Sequence, residues 1–421
     1  MSAAPVTATA TTAVGVPGWR TPALIIACGC LLSFIAFGVR SGSGLFLTPI
    51  SQEYGWGREI FALSVAIQML VWGACVPIAG AISDKYGSGR VLATGALFYA
   101  AGFALMAYSS TPWQMHLTAG ALVGIGLAGT SFTIVMSVMA RMVRPERRTL
   151  VVGLCSAFTS LGQFVILPLG QGFISAYGWH TAALLLGAVA LGMLPFSYVV
   201  RGNGRPAAGI VDQKLTAALS EAFAHRSYML TVIGFFVCGF QLFFILAHMP
   251  SYLSDMGMPP WVAGWTLALV GLSNVVGSIL AGLIGARWPS HKRIWLAIIY
   301  VTRSAATAAF ILLPLAPVNA MLYGATMGLL WLSTVPLTQG LVAQFFGLRW
   351  LATLFGIAFF SHQVGGFLGV WLGGLLFDLY KSYDIVWWLN IALGLFAAAV
   401  HIPIREAPAP RLAAAAAAGA R

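Results

Sequence analysis

Long apolar runs, separated by short connectors that carry charge, proline or glycine, repeat along the whole chain. Crossing the roughly 30 Å hydrocarbon core of a bilayer takes about 20 helical residues. On that measure the runs predict twelve membrane-spanning helices, at 22–50, 58–83, 89–109, 112–140, 150–176, 179–200, 229–253, 260–286, 292–315, 317–345, 350–379 and 384–405. The fold expected is therefore an all-α polytopic membrane protein. One connector, 201–228, is much longer than the others and divides the spans six and six. The expected organisation is an N-terminal six-helix bundle (22–200), a cytoplasmic linker (201–228) and a C-terminal six-helix bundle (229–405). Helical spacing over 209–225 reads as a surface helix in the linker, a structureless loop being the other reading. The segments 1–21 and 406–421, rich in Ala, Pro and Gly, are expected to be disordered cytoplasmic tails. The first eighteen residues carry no basic charge, so they lack the start of a secretory signal, and the first apolar run is kept as a membrane helix.

Composition moves this reading from apolar to membrane-embedded. Hydrophobic residues make up 59% of the 421 positions and charged residues only 8%, with a mean hydropathy of +0.89. A water-soluble domain carries about 25% charged residues. The net charge of +12 would suit nucleic acid only if it formed a basic face, and here the positive residues sit in connectors, so nucleic-acid binding is not expected. Instead they report topology. Eighteen of the 22 Lys and Arg residues fall in the tails and in the connectors on the same side, against only Arg58 and Lys381 on the other. The positive-inside rule then places both termini in the cytoplasm. Five cysteines lie inside apolar runs with no CxxC or Cys/His spacing, so no metal or cofactor is expected. Nor does any phosphate-binding loop or nucleophile arrangement argue for an enzyme.

The remaining two basic residues, Arg40 and Arg303, lie within apolar runs with no carboxylate beside them. An ionised guanidinium in hydrocarbon costs about 2.5 to 3.5 kcal/mol on insertion scales and normally faces a polar cavity. Arg40 is a candidate for bidentate recognition of a carboxylate. Arg303 is a candidate for substrate contact, with hydrogen bonds to neighbouring helices as its alternative. His362 is the most central titratable group of the second half and a candidate for substrate binding or proton coupling. His248, nearer a span end, is a further proton-coupling candidate, and Gln241 and Asn274 are candidates for uncharged hydrogen bonds to substrate. No Asp or Glu occupies the middle of any span.

Following the second span, Gly80-Ala-Ile-Ser-Asp84-Lys85-Tyr-Gly87-Ser-Gly-Arg90 resembles the GxxxD(R/K)xGRR signature of the major facilitator superfamily, with Ser88-Gly89 replacing basic positions. Within it the chain is similar to the bacterial relatives of monocarboxylate transporters and oxalate/formate antiporters. The residues carrying that similarity are Phe37-Gly-Val-Arg40-Ser41, Tyr54-Gly-Trp56-Gly-Arg58-Glu59 and Gln68-Met-Leu-Val-Trp72-Gly73. Arg40-Ser41 falls where the animal carriers have a functional Lys-Ser pair, and His362 where the oxalate carrier has a substrate-binding lysine. One departure stands out: both families use an arginine on the eighth span where this chain has Ser278.

The resemblance implies the major facilitator fold, two bundles rocking about a midplane site, and a gate built on Asp84, Lys85, Gly87 and Arg90. The function expected is secondary transport of a small organic anion, monocarboxylate-like, by alternating access, with proton coupling and exchange both open. The partners expected are that anion, the lipid bilayer and protons, with the carrier working as a monomer in a bacterial inner membrane. Export of hydrophobic drugs or metabolites, and a non-transporting sensor with a transporter fold, are the alternatives.

Overall fold

The computed structural model describes residues 19–56, 58–202 and 213–419. Eleven helical runs within them are long and apolar enough to cross a membrane. One of these, Pro145–Val199, is 55 residues long, roughly 80 Å of helix and far more than one crossing needs. It is broken at Gly178, whose φ of 77° and ψ of 166° reverse the chain, so the fifth and sixth spans lie on either side of it. The break falls between the predicted spans 150–176 and 179–200, and the twelve expected crossings are all present.

In order, the others are Pro22–Tyr54, Ile60–Tyr86, Ser88–Met106 and Pro112–Arg141 in the first half, and Arg226–Asp255, Trp261–Arg287, Lys292–Leu312, Pro317–Phe346, Leu351–Tyr380 and Asp384–His401 in the second. Within the halves, the first span packs on the fifth and the seventh on the eleventh; between them, the second meets the eleventh and the fifth meets the eighth. Small residues set these approaches, because a side chain would hold the backbones apart. A Cβ on Gly80 would lie 2.8 Å from the Ala352 backbone, and one on Gly153 would lie 2.5 Å from the Ser278 carbonyl.

Two spans in corresponding positions of the halves are interrupted. In the fourth, a π-helical stretch at His116–Leu122 is followed by a break at Thr130–Ser131, after which Ser131 caps the helix Phe132–Arg141 through the Thr133 N–H. In the tenth, helix Pro317–Leu330 ends, a turn passes through 331–333, and helix Thr334–Phe346 resumes. Pro336 explains this second break: it has no N–H to give Leu332, and its ring would crowd that carbonyl. Interrupted helices at matching places in two repeats point to the binding site of a secondary transporter.

The linker helix is present as Leu215–Ala224, with Ala218 and Ala222 buried. Residues 203–212 of the linker, and 1–18 of the N-terminal tail, lie outside the described residues. Both tails are more ordered than expected where they are described. Arg20 is buried and donates to the carbonyls of Val199 and Arg201, and Thr21 caps the first span. At the other end, Pro410–Gly419 is helical, the Ala409 N–H donates to the Phe345 carbonyl, and Arg411 pairs with Glu221 of the linker helix. Polar anchoring to the bundle overrides the low-complexity composition that suggested disorder.

Candidate functional site

A cavity of about 150 Å³ lies between the halves, walled by both interrupted spans. Phe132 follows the break of the fourth, and Trp331 and Leu332 lie in the break of the tenth. Arg40 lies at its edge, near the end of helix Pro22–Ser41, just before the first span tightens into the 3-10 stretch Gly42–Phe46. The guanidinium carbon stands 4.9 Å from the centre of the Trp72 ring and 5.9 Å from those of Phe37 and Phe243, so aromatic faces from both halves hold it. Among the described residues it has no ion pair or hydrogen bond, and no carboxylate lines the cavity.

His362 also lines the cavity, buried among Phe235, Phe243 and Phe359. Its Nδ1 faces the Gln363 Oε1 at 3.4 Å, while Nε2 is buried without a partner. An amide oxygen only accepts, so His362 is the donor in this contact, and the Cys238 thiol of the seventh span also lies against the ring. Gln363 Nε2 and Trp72 Nε1, on neighbouring lining residues, are likewise buried and unpartnered. Buried polar atoms are normally paired, so these three orphans sit just behind the cavity wall rather than opening into it.

Asn274 reaches the cavity but its amide is spent within the protein. Its Nδ2 donates to Ser160 Oγ of the fifth span, and its Oδ1 accepts from the Leu332 N–H at 2.9 Å and from Ser278 Oγ at 3.3 Å. It positions the broken tenth span, and Ser278, where related families have an arginine, serves only this bond.

Three expected site residues lie elsewhere. Arg303 is fully buried behind the tenth-span break, donating from Nη2 to the carbonyls of Leu330 and, at 2.6 Å, Trp331, and from Nη1 to Cys238 Sγ at 3.4 Å. Carbonyls freed by the break satisfy the charge, so it does not meet the cavity. Gln241 donates to the Asn390 carbonyl at 3.1 Å in the packing between the seventh and twelfth spans. His248 is held by the Val370 carbonyl at 2.9 Å and the Tyr383 hydroxyl at 3.3 Å, also away from the cavity.

This division has a stability consequence. Arg303→Met strips the Leu330 and Trp331 carbonyls of their donor and is expected to cost about 2 to 4 kcal/mol. Arg40→Ala gives up its aromatic contacts but no hydrogen bond or ion pair, and is expected to cost less, about 1 kcal/mol. Paired melting curves of the two variants in detergent check this contrast.

The cavity is closed on the side of the chain termini. Asp84, 1% exposed at the end of the second span, pairs with Arg141 of the fourth. Across the interface its Oδ2 accepts from both the N–H and the hydroxyl of Thr353, each at 2.9 Å, at the start of the eleventh span. Its own carbonyl accepts from Arg349 Nη1. A carboxylate at a helix N-terminus is further favoured by the helix dipole. Of the other expected gating residues, Gly87 shapes the turn to the third span with φ 99° and ψ 147°. Lys85 and Arg90 are exposed, Lys85 lying over the neighbouring Tyr86 ring, so the basic partners of Asp84 come from distant connectors instead. The expected site also omitted a polar stripe on the fifth span, Ser156, Thr159 and Gln163, which lines the cavity and whose spacing of three and four is one helix face.

The family model described as Major Facilitator Superfamily matches residues 29–370. The chain belongs to that superfamily. This facilitator is 25% identical over 377 residues to "Monocarboxylate transporter 13" of Rattus norvegicus, across 87% of its own length and 84% of that protein's. It is 24% identical over 357 residues to "Uncharacterized MFS-type transporter YcxA" of Bacillus subtilis (strain 168), across 82% and 86%. Among solved structures it resembles a variant of the E. coli fucose:proton symporter FucP with a TM-score of 0.70 at 16% identity, covering 91% of this chain and 99% of that one. A likeness at that identity speaks to the fold alone. The protein is thus a multi-pass membrane transporter rather than an enzyme.

Proposed function

We propose that this facilitator carries a small organic anion, monocarboxylate-like, by alternating access, with Arg40 as the group that receives the carboxylate. The observation that carries the reading is the Arg40 guanidinium itself: intramembrane, held by aromatic rings at the cavity wall, and without a counter-ion. Such a charge is costly when idle and well placed when an anion enters. The monocarboxylate transporter relatives support the same class. The aromatic lining favours one rival, export of uncharged hydrophobic compounds. A neutral cargo, however, would strip water from Arg40 and offer nothing in return.

Asp84, with Arg141, Arg349 and Thr353, forms the gate on the terminal side, broken and remade in each cycle. The charge bias of the connectors supports placing that side, with both termini, in the cytoplasm of a bacterial inner membrane. Uptake of a panel of carboxylic acids into proteoliposomes, with and without an imposed pH gradient, tests both cargo class and coupling. No saturable uptake of any acid refutes the proposal.

His362 is the proposed proton-coupling group, because it is the one histidine among the described lining residues. Protonation adds a positive charge near a bound carboxylate, so affinity is expected to rise as pH falls. His362→Gln is expected to flatten that dependence. The titration uses an acid that stays fully ionised across the range, so that only the protein changes charge; superimposable wild-type and variant profiles would return His362 to a packing role.

A further inference from the structure

We infer that the cargo is an aryl monocarboxylate, a single carboxylate carried on one aromatic ring; this rests on the reading of Arg40 as the anion site. Size is the first ground. A cavity of about 150 Å³ is large enough to take up a benzene ring, and this one has that volume, with polar groups on part of its wall. Acetate or propanoate would occupy only the polar end and leave the rings facing empty space, forfeiting their dispersion contacts.

The arrangement of the walls is the second ground. Trp72 and Phe359, one from each half, lie 4.9 Å apart at 58°; Phe132 meets Phe359 at 5.1 Å and 87°, and Phe37 meets Phe132 at 5.3 Å and 69°. The rings pack steeply on one another and are nearly buried, so a guest ring would join this edge-to-face cluster at its margin. The guanidinium lies 4.9 Å from the Trp72 ring in this cluster, so a carboxylate on Arg40 would bring its attached ring beside these aromatic walls.

The polar atoms are the third. A carboxylate accepts more hydrogen bonds than one guanidinium fork supplies. Trp72 Nε1 and Gln363 Nε2, on residues of the same wall, are unpartnered but buried, and would reach a carboxylate by side-chain rotation. Arg40 is the sole Lys or Arg among the described lining residues, which matches one carboxylate and disfavours two. Because the ring would contact both halves, its seating would also tie the halves together over the cargo.

Isothermal titration of the purified full-length protein in detergent with benzoate, phenylacetate, cyclohexanecarboxylate, propanoate and benzamide tests this directly. Benzoate or phenylacetate is expected to bind at least about tenfold more tightly than propanoate, with cyclohexanecarboxylate weaker than the better aryl acid and benzamide weaker still. Propanoate binding as tightly as both aryl acids, or cyclohexanecarboxylate matching them, overturns the aryl assignment while leaving the anion site standing. Benzamide binding as tightly as benzoate, or no acid binding at all, overturns the anion site and the aryl assignment together.

Discussion

Replacing Arg40 with alanine is expected to weaken monocarboxylate binding about a hundredfold or more. Truncating one partner of a desolvated, hydrogen-bonded charge pair costs roughly 2 to 5 kcal/mol, and each 1.4 kcal/mol is a factor of ten. No other Lys or Arg lines the described cavity wall, and His362 offers no planar guanidinium fork. Arg40→Lys should recover only part of the loss. An ammonium keeps the charge but lacks the planar fork that pairs with both carboxylate oxygens and that lies against the Trp72 face. Direct binding measurements on detergent-purified variants with matched melting temperatures separate this from misfolding. Wild-type affinity in Arg40→Ala would remove the anion site.

The second large effect is expected at Asp84, and in turnover rather than in affinity. Asp84→Asn keeps the shape and can still accept from Thr353, but it leaves Arg141, partly exposed, beside a neutral amide. Losing a charged hydrogen bond in a half-buried pair costs about 1.5 to 3 kcal/mol. That cost falls only on the conformation closed at the terminal side, so the equilibrium shifts toward its opening. Transport rate is expected to fall at least about tenfold while cargo affinity, set by a cavity Asp84 does not line, changes by less than about threefold. Initial uptake rates and equilibrium binding on the same preparation check the split; a collapse of binding with normal turnover would assign Asp84 to the site instead of the gate.

Both expectations rest on residues that were legible in the chain for different reasons. The spans were visible because a bilayer requires about 20 apolar residues per crossing, and even the reversal at Gly178 fell between two predicted runs. Arg40 was visible because its charge is too costly to be accidental. The same cost made Arg303 look equivalent, and the sequence offers no direct sign that carbonyls at Leu330 and Trp331 are free to receive it. The indirect sign was Pro336, whose missing N–H requires a break one turn earlier. The gate illustrates a different limit. Asp84 stood out in a local motif, whereas Arg141, Arg349 and Thr353 are brought to it from three other spans and connectors by packing of the two halves. The polar stripe of the fifth span and the unpaired amide of Gln363 were open to helical periodicity and position, but each residue alone resembles ordinary helix-to-helix hydrogen bonding.

Counterflow in proteoliposomes tests carriage of an anion most directly, because it depends on alternating exposure of one site and on no coupling ion. Vesicles holding the wild-type protein would be loaded with an unlabelled monocarboxylate and diluted into trace labelled acid at a pH where it is fully ionised. Alternating access to the Arg40 cavity requires transient accumulation of the label, abolished in Arg40→Ala and not driven by the matching amide. Accumulation driven equally by the amide, or undiminished in Arg40→Ala, would contradict it.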